Sequence, residues 1–586
     1  MTQLRLAGLD SNVPAVVPAD RSADPSTGID TAIETGRNRL LLAAALFLLG
    51  FGTIGWRLID LTTTPRGVEP RTAPATQAAP AAIPSTRADI VDRHGMMVAT
   101  SLVLPSLYAN PHEVIDPADA VAKLMRALPG LDRDELMTRL TSDRSFVWVK
   151  RNLTPRQQFE INRLGIPGLY FQREERRVYP HGSLTAHVVG FSNIDSKGLA
   201  GVEQALDERL RRDPQPLELS IDLRLQHLLR EEIQEQIGEF NAIGGCGVIL
   251  DVHTGEIVAM VSLPDFDGNR PGASPAETRF NRNTLGVYEQ GSTFKIFTMA
   301  MALDSGKANF NSVYDATHPI KVSRFTIRDD HAQARRLTVT EIFQYSSNIG
   351  AVKMALDVGI AGQRDFFDRL GFLKAPGVEL PEVGAPLVPR PWRPINLMTI
   401  AFGHGMAVSP LTMASGVATM VNGGVLRQPT LMKRSPEQAT GTRVISAKTS
   451  DQMRRLMRLV VEKGTGKKAA APGYLVGGKT GTAEKTARGG YRRKALLSSF
   501  VGAFPMHDPR YVVVVSIDEP KGNKKSFGFA TAGWVAAPVV GRIVQRMGPV
   551  VGITPVDESA PEIRRLVDLF PGQTPPRKEE KRLATF

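Results

Sequence analysis

Hydrophobic and polar residues follow two different periods along this chain, and the changes of period predict its strands and helices. Alternation with period two on either side of a turn predicts a hairpin, whereas apolar residues three and four apart predict a helix. In chain order the predicted elements are a hairpin over 87–98, helices over 117–127, 133–140, 155–164 and 223–237, hairpins over 247–263 and 498–517, and a helix over 534–547. Antiparallel strands combined with groups of helices predict an α+β fold.

One segment near the N-terminus is apolar without any such period. Residues 40–56 carry no charge, and as a helix these 17 residues span about 26 Å, slightly less than the hydrocarbon core of a membrane. Arg37 and Arg39 precede the segment, and positive charge marks the cytoplasmic side. A cleaved signal peptide is the alternative, but no A-x-A site follows the segment directly. We therefore expect an uncleaved transmembrane anchor over 37–61, with a disordered cytoplasmic tail over 1–36 and the rest of the chain outside the cytoplasm.

Composition narrows the classes of partner. A formal net charge of +13 and a pI near 9.8 fit either nucleic-acid binding or work beside anionic polymers and membranes. The sequence contains no recognition-helix, zinc-finger or RNA-binding motif, so no nucleic-acid partner is expected. The single cysteine, Cys246, excludes an intrachain disulfide and is expected to be a small buried thiol. His181 and His187 have no cysteine or carboxylate at ligand spacing, so we expect structural histidines and neither metal nor cofactor.

A candidate nucleophile stands at Ser292. Lys295 follows three residues later in an apolar segment, so a helix there carries both side chains on one face. An amine whose pKa is lowered by burial can take the proton of a serine hydroxyl and so activate it. Such a pair recurs by chance, and a surface serine beside a solvated lysine is the ordinary alternative. Two later motifs change this interpretation. Ser346-Ser347-Asn348 begins 54 residues after Ser292, and Lys479-Thr480-Gly481 begins 133 residues after Ser346.

The order S-x-x-K, S-x-N, K-T-G resembles that of penicillin-binding proteins and serine β-lactamases. Upstream, segments within 176–203 resemble the pedestal domain of class B, monofunctional penicillin-binding proteins. The resemblance covers roughly 87–547 and implies a membrane-anchored pedestal (dimerisation-type) domain, followed by a transpeptidase domain with a five-stranded antiparallel sheet packed by helices. The expected division of the chain is a cytoplasmic tail over 1–36, an anchor over 37–61, a Pro/Ala/Thr-rich linker over 62–85, a pedestal domain over 86–215, a transpeptidase domain over 216–553 and a flexible tail over 554–586.

The resemblance also implies roles for the motif residues. In the catalytic set, Ser292 is the nucleophile and Lys295 is its base. Ser346 relays the proton, and Asn348 holds the peptide. The substrate-binding set, which holds the substrate carboxylate and backbone, is Lys479, Thr480, Gly481 and Thr482. The backbone N–H groups of Ser292 and Thr482 match the oxyanion hole. Gln290 stands where the family usually has proline, and we expect this to loosen the turn without removing a reactive group.

The implied function is a peptidoglycan D,D-transpeptidase that cross-links stem peptides through a Ser292 acyl-enzyme and that β-lactam antibiotics inhibit. Residues 189–203, with a short Asn-x-Asp step before Gly201-Val202-Glu203, resemble the septal rather than the lateral-wall type. The expected partners are the membrane, through one helix, a multi-pass peptidoglycan glycosyltransferase and other division proteins, because no glycosyltransferase-like domain is found. The alternatives are a lateral-wall transpeptidase, a D,D-carboxypeptidase, a β-lactamase and a structural or sensory protein with a silent site.

Overall fold

The computed structural model describes residues 41–56, 87–322, 325–487 and 490–569. The predicted cytoplasmic tail and linker, 1–36 and 62–85, lie outside these residues. The chain divides into two units, Met1–Ala82 and Ile83–Phe586.

The first unit contains one described helix, α1, over 41–56. Its large apolar side chains, such as Phe47 and Trp56, are exposed. Among the residues that the structure describes, no helix is both long enough and apolar enough to cross a membrane. The ends of the predicted anchor, 37–40 and 57–61, lie outside the described residues.

The second unit combines two larger sheets with helices. Its helices are α2 Pro117–Ala127, α3 Arg133–Leu140, α4 Pro155–Asn162, α5 Ala186–Val189, α6 Gly201–Ala205, α7 Asp207–Arg212, α8 Leu223–Glu239, α9 Lys295–Asp304, α10 Val339–Tyr345, α11 Asn348–Arg369, α12 Pro394–Ile400, α13 Pro410–Val421, α14 Ala447–Lys463, α15 Ala532–Val550 and α16 Pro561–Val567. Its strands are β1 Ile90–Val91, β2 Met97–Ala109, β3 Val147–Lys150, β4 Leu169–Val178, β5 Leu217–Glu218, β6 Gly244–Asp251, β7 Ile257–Leu263, β8 Val313–Asp315, β9 Ile320–Val322, β10 Phe325–Ile327, β11 Arg336–Thr338, β12 Val425–Leu426, β13 Thr442–Arg443, β14 Gly477–Ala487, β15 Gly490–Phe504 and β16 Tyr511–Asp518.

The N-terminal part of this unit is built around the long strand β2. It pairs antiparallel with β1, β3 and β4, while β1 pairs in parallel with β5. Helices α2 to α4 cover one face, and side chains cap their N-termini because the first backbone N–H groups of a helix have no partner within it. Asp116 accepts from two N–H groups of α2, and Thr154 forms a capping box with Gln157 of α4. The hairpin and the three helices predicted here are therefore present.

A buried carboxylate ties this part of the chain together. Glu203 accepts at one oxygen from Arg87 Nε (2.6 Å) and at the other from Arg177 Nε (2.6 Å). All three residues are buried. The Tyr179 hydroxyl also donates to Glu203, at 3.4 Å. This cluster joins residues that lie more than 100 positions apart, since Arg87 and Glu203 are separated by 116 positions.

The C-terminal part is organised by a five-stranded sheet in the order β14-β15-β16-β6-β7. Every neighbouring pair is antiparallel, which confirms the predicted sheet. Successive side chains of a strand face opposite sides, and both sides are covered here. One face packs against α8 and α15, and the other packs against the helices that include α9 and α13. The predicted buried thiol is confirmed, because Cys246 lies inside β6 and burial raises its pKa to about 12.

The start of the predicted flexible tail, 554–569, is ordered and packed. It contains α16, where Val567 is buried, and an ion pair joins Glu558 to Arg458 at 2.6 Å. The sequence prediction followed the proline and charge content of this segment, whereas contacts with α14 decide its structure. The remainder, 570–586, lies outside the described residues.

Candidate active site

Ser292 lies in a tight turn, Gly291–Phe294, directly before α9. Gly291 has φ +53°, and a Cβ placed on it would lie 2.8 Å from the backbone oxygen of Thr482. Only glycine allows this close approach of the first and third motifs without strain. Gln290 is buried and donates its side-chain N–H to the Val408 oxygen at 3.0 Å, so a hydrogen bond holds the position where proline was expected.

Lys295 begins α9, a helix whose residues from 295 to 303 are buried. Phe297 of this helix packs edge-on against Phe372, with ring centroids 4.7 Å apart, and against Phe294 at 5.7 Å. This packing positions the helix that carries the lysine. Its ammonium nitrogen lies 2.9 Å from Ser292 Oγ, so the structure brings the predicted nucleophile and base into contact.

The second motif completes the environment of this amine. Lys295 Nζ donates to Asn348 Oδ1 at 2.6 Å, and it lies 2.7 Å from the Ser346 backbone oxygen and 3.1 Å from Ser346 Oγ. Ser346 adopts a left-handed conformation with φ +62°, which costs a non-glycine residue about 1–3 kcal/mol. Such strain concentrates at functional sites, and here it aims the hydroxyl at the amine.

The third motif lies on β14, which is an edge strand of the sheet. Lys479 is fully buried, and its Nζ donates to Ser346 Oγ at 3.0 Å, so the two lysines approach the same hydroxyl. A Cβ on Gly481 would lie 2.5 Å from the Gln290 oxygen, which means that this glycine faces the nucleophile turn.

The two threonines of this strand have different partners. Thr480 shares a hydrogen bond with Thr465 at 2.7 Å. Thr482 Oγ accepts from the N–H of Ala532 at 3.0 Å, so its own hydroxyl proton stays available for donation. Together the three motifs place all eight predicted residues in one site.

Burial sets the electrostatics of this site. Desolvation disfavours an ammonium ion, and it lowers the pKa of Lys295 from 10.5 to about 7. The carboxylates of Asp330 and Asp329 oppose this shift. For Lys479 burial again comes first, and the charge of Lys295 adds to it, so the pKa lies well below its ordinary value. Burial is therefore the cause of the low pKa of Lys295, and the charge of Lys479 is not among the causes.

Sequence reasoning missed a carboxylate that supports the second motif. Asp329 accepts from Ser347 Oγ at 2.7 Å and from the backbone N–H groups of Asn348 and Ile349 at 2.6 and 2.9 Å. The Asn348 amide also donates to the Arg328 oxygen at 2.8 Å, which fixes its orientation. These residues lie about 20 positions before the motif in an irregular segment, and no periodicity or spacing points to them.

The arrangement suits acyl transfer by a serine nucleophile. An amine that is partly neutral at pH 7 contacts the hydroxyl, a second hydroxyl bridges two amines, and an edge strand runs beside them. Lys479 and the hydroxyls of Thr480 and Thr482 supply donors for a carboxylate. Thr480 and Thr482 line a cleft of about 570 Å³ together with Ser292 and Ser346.

Comparisons with known proteins agree with this geometry. Residues 245–545 match the penicillin-binding protein transpeptidase domain, and residues 82–215 match the penicillin-binding protein dimerisation domain. A probable peptidoglycan D,D-transpeptidase FtsI from Caulobacter vibrioides is 43% identical over 80% of this chain and 82% of its own length. The peptidoglycan D,D-transpeptidase FtsI of Escherichia coli is 32% identical over 79% of this chain and 83% of its own length.

Among solved structures, a peptidoglycan synthetase from Bifidobacterium adolescentis matches with a TM-score of 0.64 and 20% identity. The match covers 81% of this chain and 97% of that one, and at this identity it supports the fold alone. The motifs, the sheet, the site and these relatives lead to one conclusion: the chain belongs to the penicillin-binding protein transpeptidases that carry a dimerisation domain.

Proposed function

We propose that this protein is a peptidoglycan D,D-transpeptidase that cross-links stem peptides through a Ser292 acyl-enzyme during septal wall synthesis. The observation that carries the proposal is the contact of 2.9 Å between Ser292 Oγ and Lys295 Nζ, an amine whose pKa lies at about 7. Relatives with the same two domains are named D,D-transpeptidases, which supports the same reaction here.

In the first step Ser292 Oγ attacks the carbonyl of the penultimate D-alanine, and neutral Lys295 takes the hydroxyl proton. The new Oγ–C bond forms while the peptide C–N bond breaks. The leaving D-alanine amine receives a proton through Ser346, whose hydroxyl contacts both lysines. Backbone N–H groups of Ser292 and Thr482 stabilise the oxyanion, each donor being worth about 3–4 kcal/mol in well-studied hydrolases.

In the second step the amine of another stem peptide attacks the ester carbonyl. The new C–N bond closes the cross-link, the C–Oγ bond breaks, and the proton of the amine returns to Ser292 through Lys295. Lys479, Thr480 and Thr482 hold the terminal carboxylate in the first step, and the donor peptide adds to the edge of β14. Asn348 holds the peptide amide with the N–H that it does not donate to Arg328.

Covalent labelling tests the assignment of the nucleophile. A fluorescent penicillin should label the protein once, at Ser292, and Ser292→Ala should abolish this labelling. The control variant Thr298→Ser changes a buried hydroxyl of α9 and should retain it. Label on the Ser292→Ala protein would overturn the proposal. Burst kinetics separate the closest alternative, because a β-lactamase hydrolyses penicillin continuously whereas a transpeptidase stays acylated after one equivalent.

The septal role rests on the FtsI relatives and on the segment 189–203. Asn193 Oδ1 accepts from the N–H groups of Asp195 and Lys197, so the Asn-x-Asp step forms a side-chain-stabilised turn. Depletion of the protein in its host should produce long, undivided filaments that continue to elongate. Cells that round up and still divide would assign it to the lateral wall.

The proposal also covers location and partners. A single anchor over 37–61 would place the N-terminus in the cytoplasm and the pedestal and transpeptidase domains, 86–215 and 216–553, outside it at the septum. A multi-pass glycosyltransferase and other division proteins would then act beside it. N-terminal sequencing of the mature protein tests the anchor, because a start near residue 62 would show cleavage.

A further inference from the structure

One wall of the cleft carries cations that the catalytic steps do not use. Lys467 and Lys468 line the same cleft as Ser292, in the segment between α14 and β14. The N-terminal end of α15, at Ala532 and Gly533, lines it beside them. The positive end of the dipole of this 19-residue helix therefore faces the same space as the two ammonium groups.

An aromatic platform positions one of these cations. Lys468 Nζ lies 3.1 Å above the ring centroid of Trp534, the third residue of α15. Phe529 stacks on the same indole at 6.3 Å with an interplanar angle of 10°, and Phe527 contacts it edge-on at 5.5 Å. The indole thus contacts the ammonium and two phenyl rings. A cation–π contact occupies one side of an ammonium and leaves its other N–H groups free to donate.

The balance of charge on this wall favours an anion. Within the described part of the chain, neither Lys467 nor Lys468 forms an ion pair with a carboxylate. Asp330 is the one carboxylate among the described residues that line the cleft. Lys479, which serves the terminal carboxylate in the proposed reaction, is fully buried and hydrogen-bonded to Ser346, whereas Lys467 and Lys468 are exposed to the cleft.

We propose that Lys467, Lys468 and the N-terminal turn of α15 form a subsite for a second carboxylate of a stem peptide, distinct from the terminal carboxylate beside the scissile bond. The inference rests on the proposed transpeptidase function and names a substrate feature that this function leaves open. The carboxylate belongs either to the donor peptide or to the acceptor peptide.

The experiment compares stem peptides whose internal carboxylates are free with peptides in which these groups are amidated. In the donor arm, release of D-alanine is measured with the free or the amidated donor. In the acceptor arm, cross-linked product is measured with one donor and either acceptor. A fluorescent penicillin counts competent Ser292 sites, so that each rate is expressed per labelled site. The full-length protein in detergent is used throughout.

In one arm, the wild-type protein should react about tenfold or more faster with the free peptide than with the amidated peptide. The free energy of a charge-assisted hydrogen bond corresponds to a factor of this size. In a Lys467→Gln/Lys468→Gln double variant the preference should fall to within about twofold. Trp534→Leu should lower it partly, because Lys468 loses its platform. The matched control Lys463→Gln changes an exposed lysine of α14 that is paired with Glu462, and it should keep the full preference.

Equal rates for free and amidated peptides in both arms of the wild-type protein would overturn the subsite. A double variant that keeps the wild-type preference would overturn it as well. Failure of the proposed function is distinguishable, since the wild-type protein would then take up no penicillin at Ser292. The preference for the free peptide should be present at low salt and lost at high salt. This result would support the subsite, because salt screens exposed charge pairs.

Discussion

Two clusters of buried charge in this protein are built in opposite ways. In the N-terminal part, Arg87 and Arg177 share the carboxylate of Glu203, so each buried cation has an anion within hydrogen-bond distance. In the cleft, Lys295 and Lys479 are fully buried, and the groups that they contact are hydroxyls, a side-chain amide and backbone oxygens.

The difference shows what a counter-ion does inside a protein. A buried cation beside a carboxylate keeps its charge, and the pair holds distant segments together. A buried cation among neutral groups becomes easier to deprotonate, and the pKa of Lys295 accordingly falls to about 7. The first arrangement stabilises structure, whereas the second produces a base at neutral pH. Four predictions test this contrast.

Removal of the amine should have the largest effect. Lys295→Ala should lower the rate of acylation by penicillin about 10⁴-fold or more, as loss of one member of a catalytic unit does. Lys295→Arg should not restore the rate, because a guanidinium is not deprotonated in proteins. Stopped-flow labelling measures both rates, and near-normal acylation of the arginine variant would show that the base lies elsewhere.

Removal of the counter-ion should reduce stability instead. Glu203→Gln leaves the buried guanidinium of Arg177 without its carboxylate, whereas Arg87 keeps its ion pair with Asp207 at 2.7 Å. The free energy of unfolding should fall by about 3–5 kcal/mol, because a buried charge loses its partner. Urea unfolding followed by fluorescence measures this change. The acylation rate per labelled site should stay at its wild-type value, and a decrease comparable to that of Lys295→Ala would contradict the division between the two clusters.

The pH dependence should report the shifted amine. Acylation should rise about tenfold per pH unit below pH 7 and level off above it, because only neutral Lys295 accepts the proton. Asp330→Asn should move the inflection to lower pH, since this carboxylate raises the pKa. Between about pH 7 and 10.5 the unfolded chain binds a proton at Lys295 that the folded chain does not, so this residue makes stability rise with pH there. An inflection that stays in place in Asp330→Asn would contradict the electrostatic account.

An exposed pair should show the smallest effect. Glu208 and Arg212 form an ion pair one turn apart on α7, with side chains 78% and 77% exposed. Glu208→Gln repeats the chemistry of Glu203→Gln outside the core and should change the free energy of unfolding by about 0.5 kcal/mol or less. A loss as large as that of Glu203→Gln in the same urea experiment would show that burial is not the deciding factor.

Local elements could be predicted from the sequence because their signals are local. The bounds of α2 and α3 agree with the prediction, since Asp116 and Asp132 cap their first turns and apolar spacing continues to their ends. The hairpin of β6 and β7 was predicted from two apolar runs and a short turn between them. The segment 554–569 was misjudged because its order depends on contacts with distant residues such as Arg458.

The sequence by itself determined the family and the chemical groups of the site, because three short motifs in a fixed order carry the nucleophile, the amines and the hydroxyls. Only the tertiary structure decided how these groups work. It brings Ser292, Ser346 and Lys479 together from positions up to 187 residues apart, adds Asp329 behind the second motif, and buries Lys295 so that its pKa falls. The physical reason is that desolvation and close approach depend on the whole packed core, whereas motifs and caps depend on near neighbours in the chain.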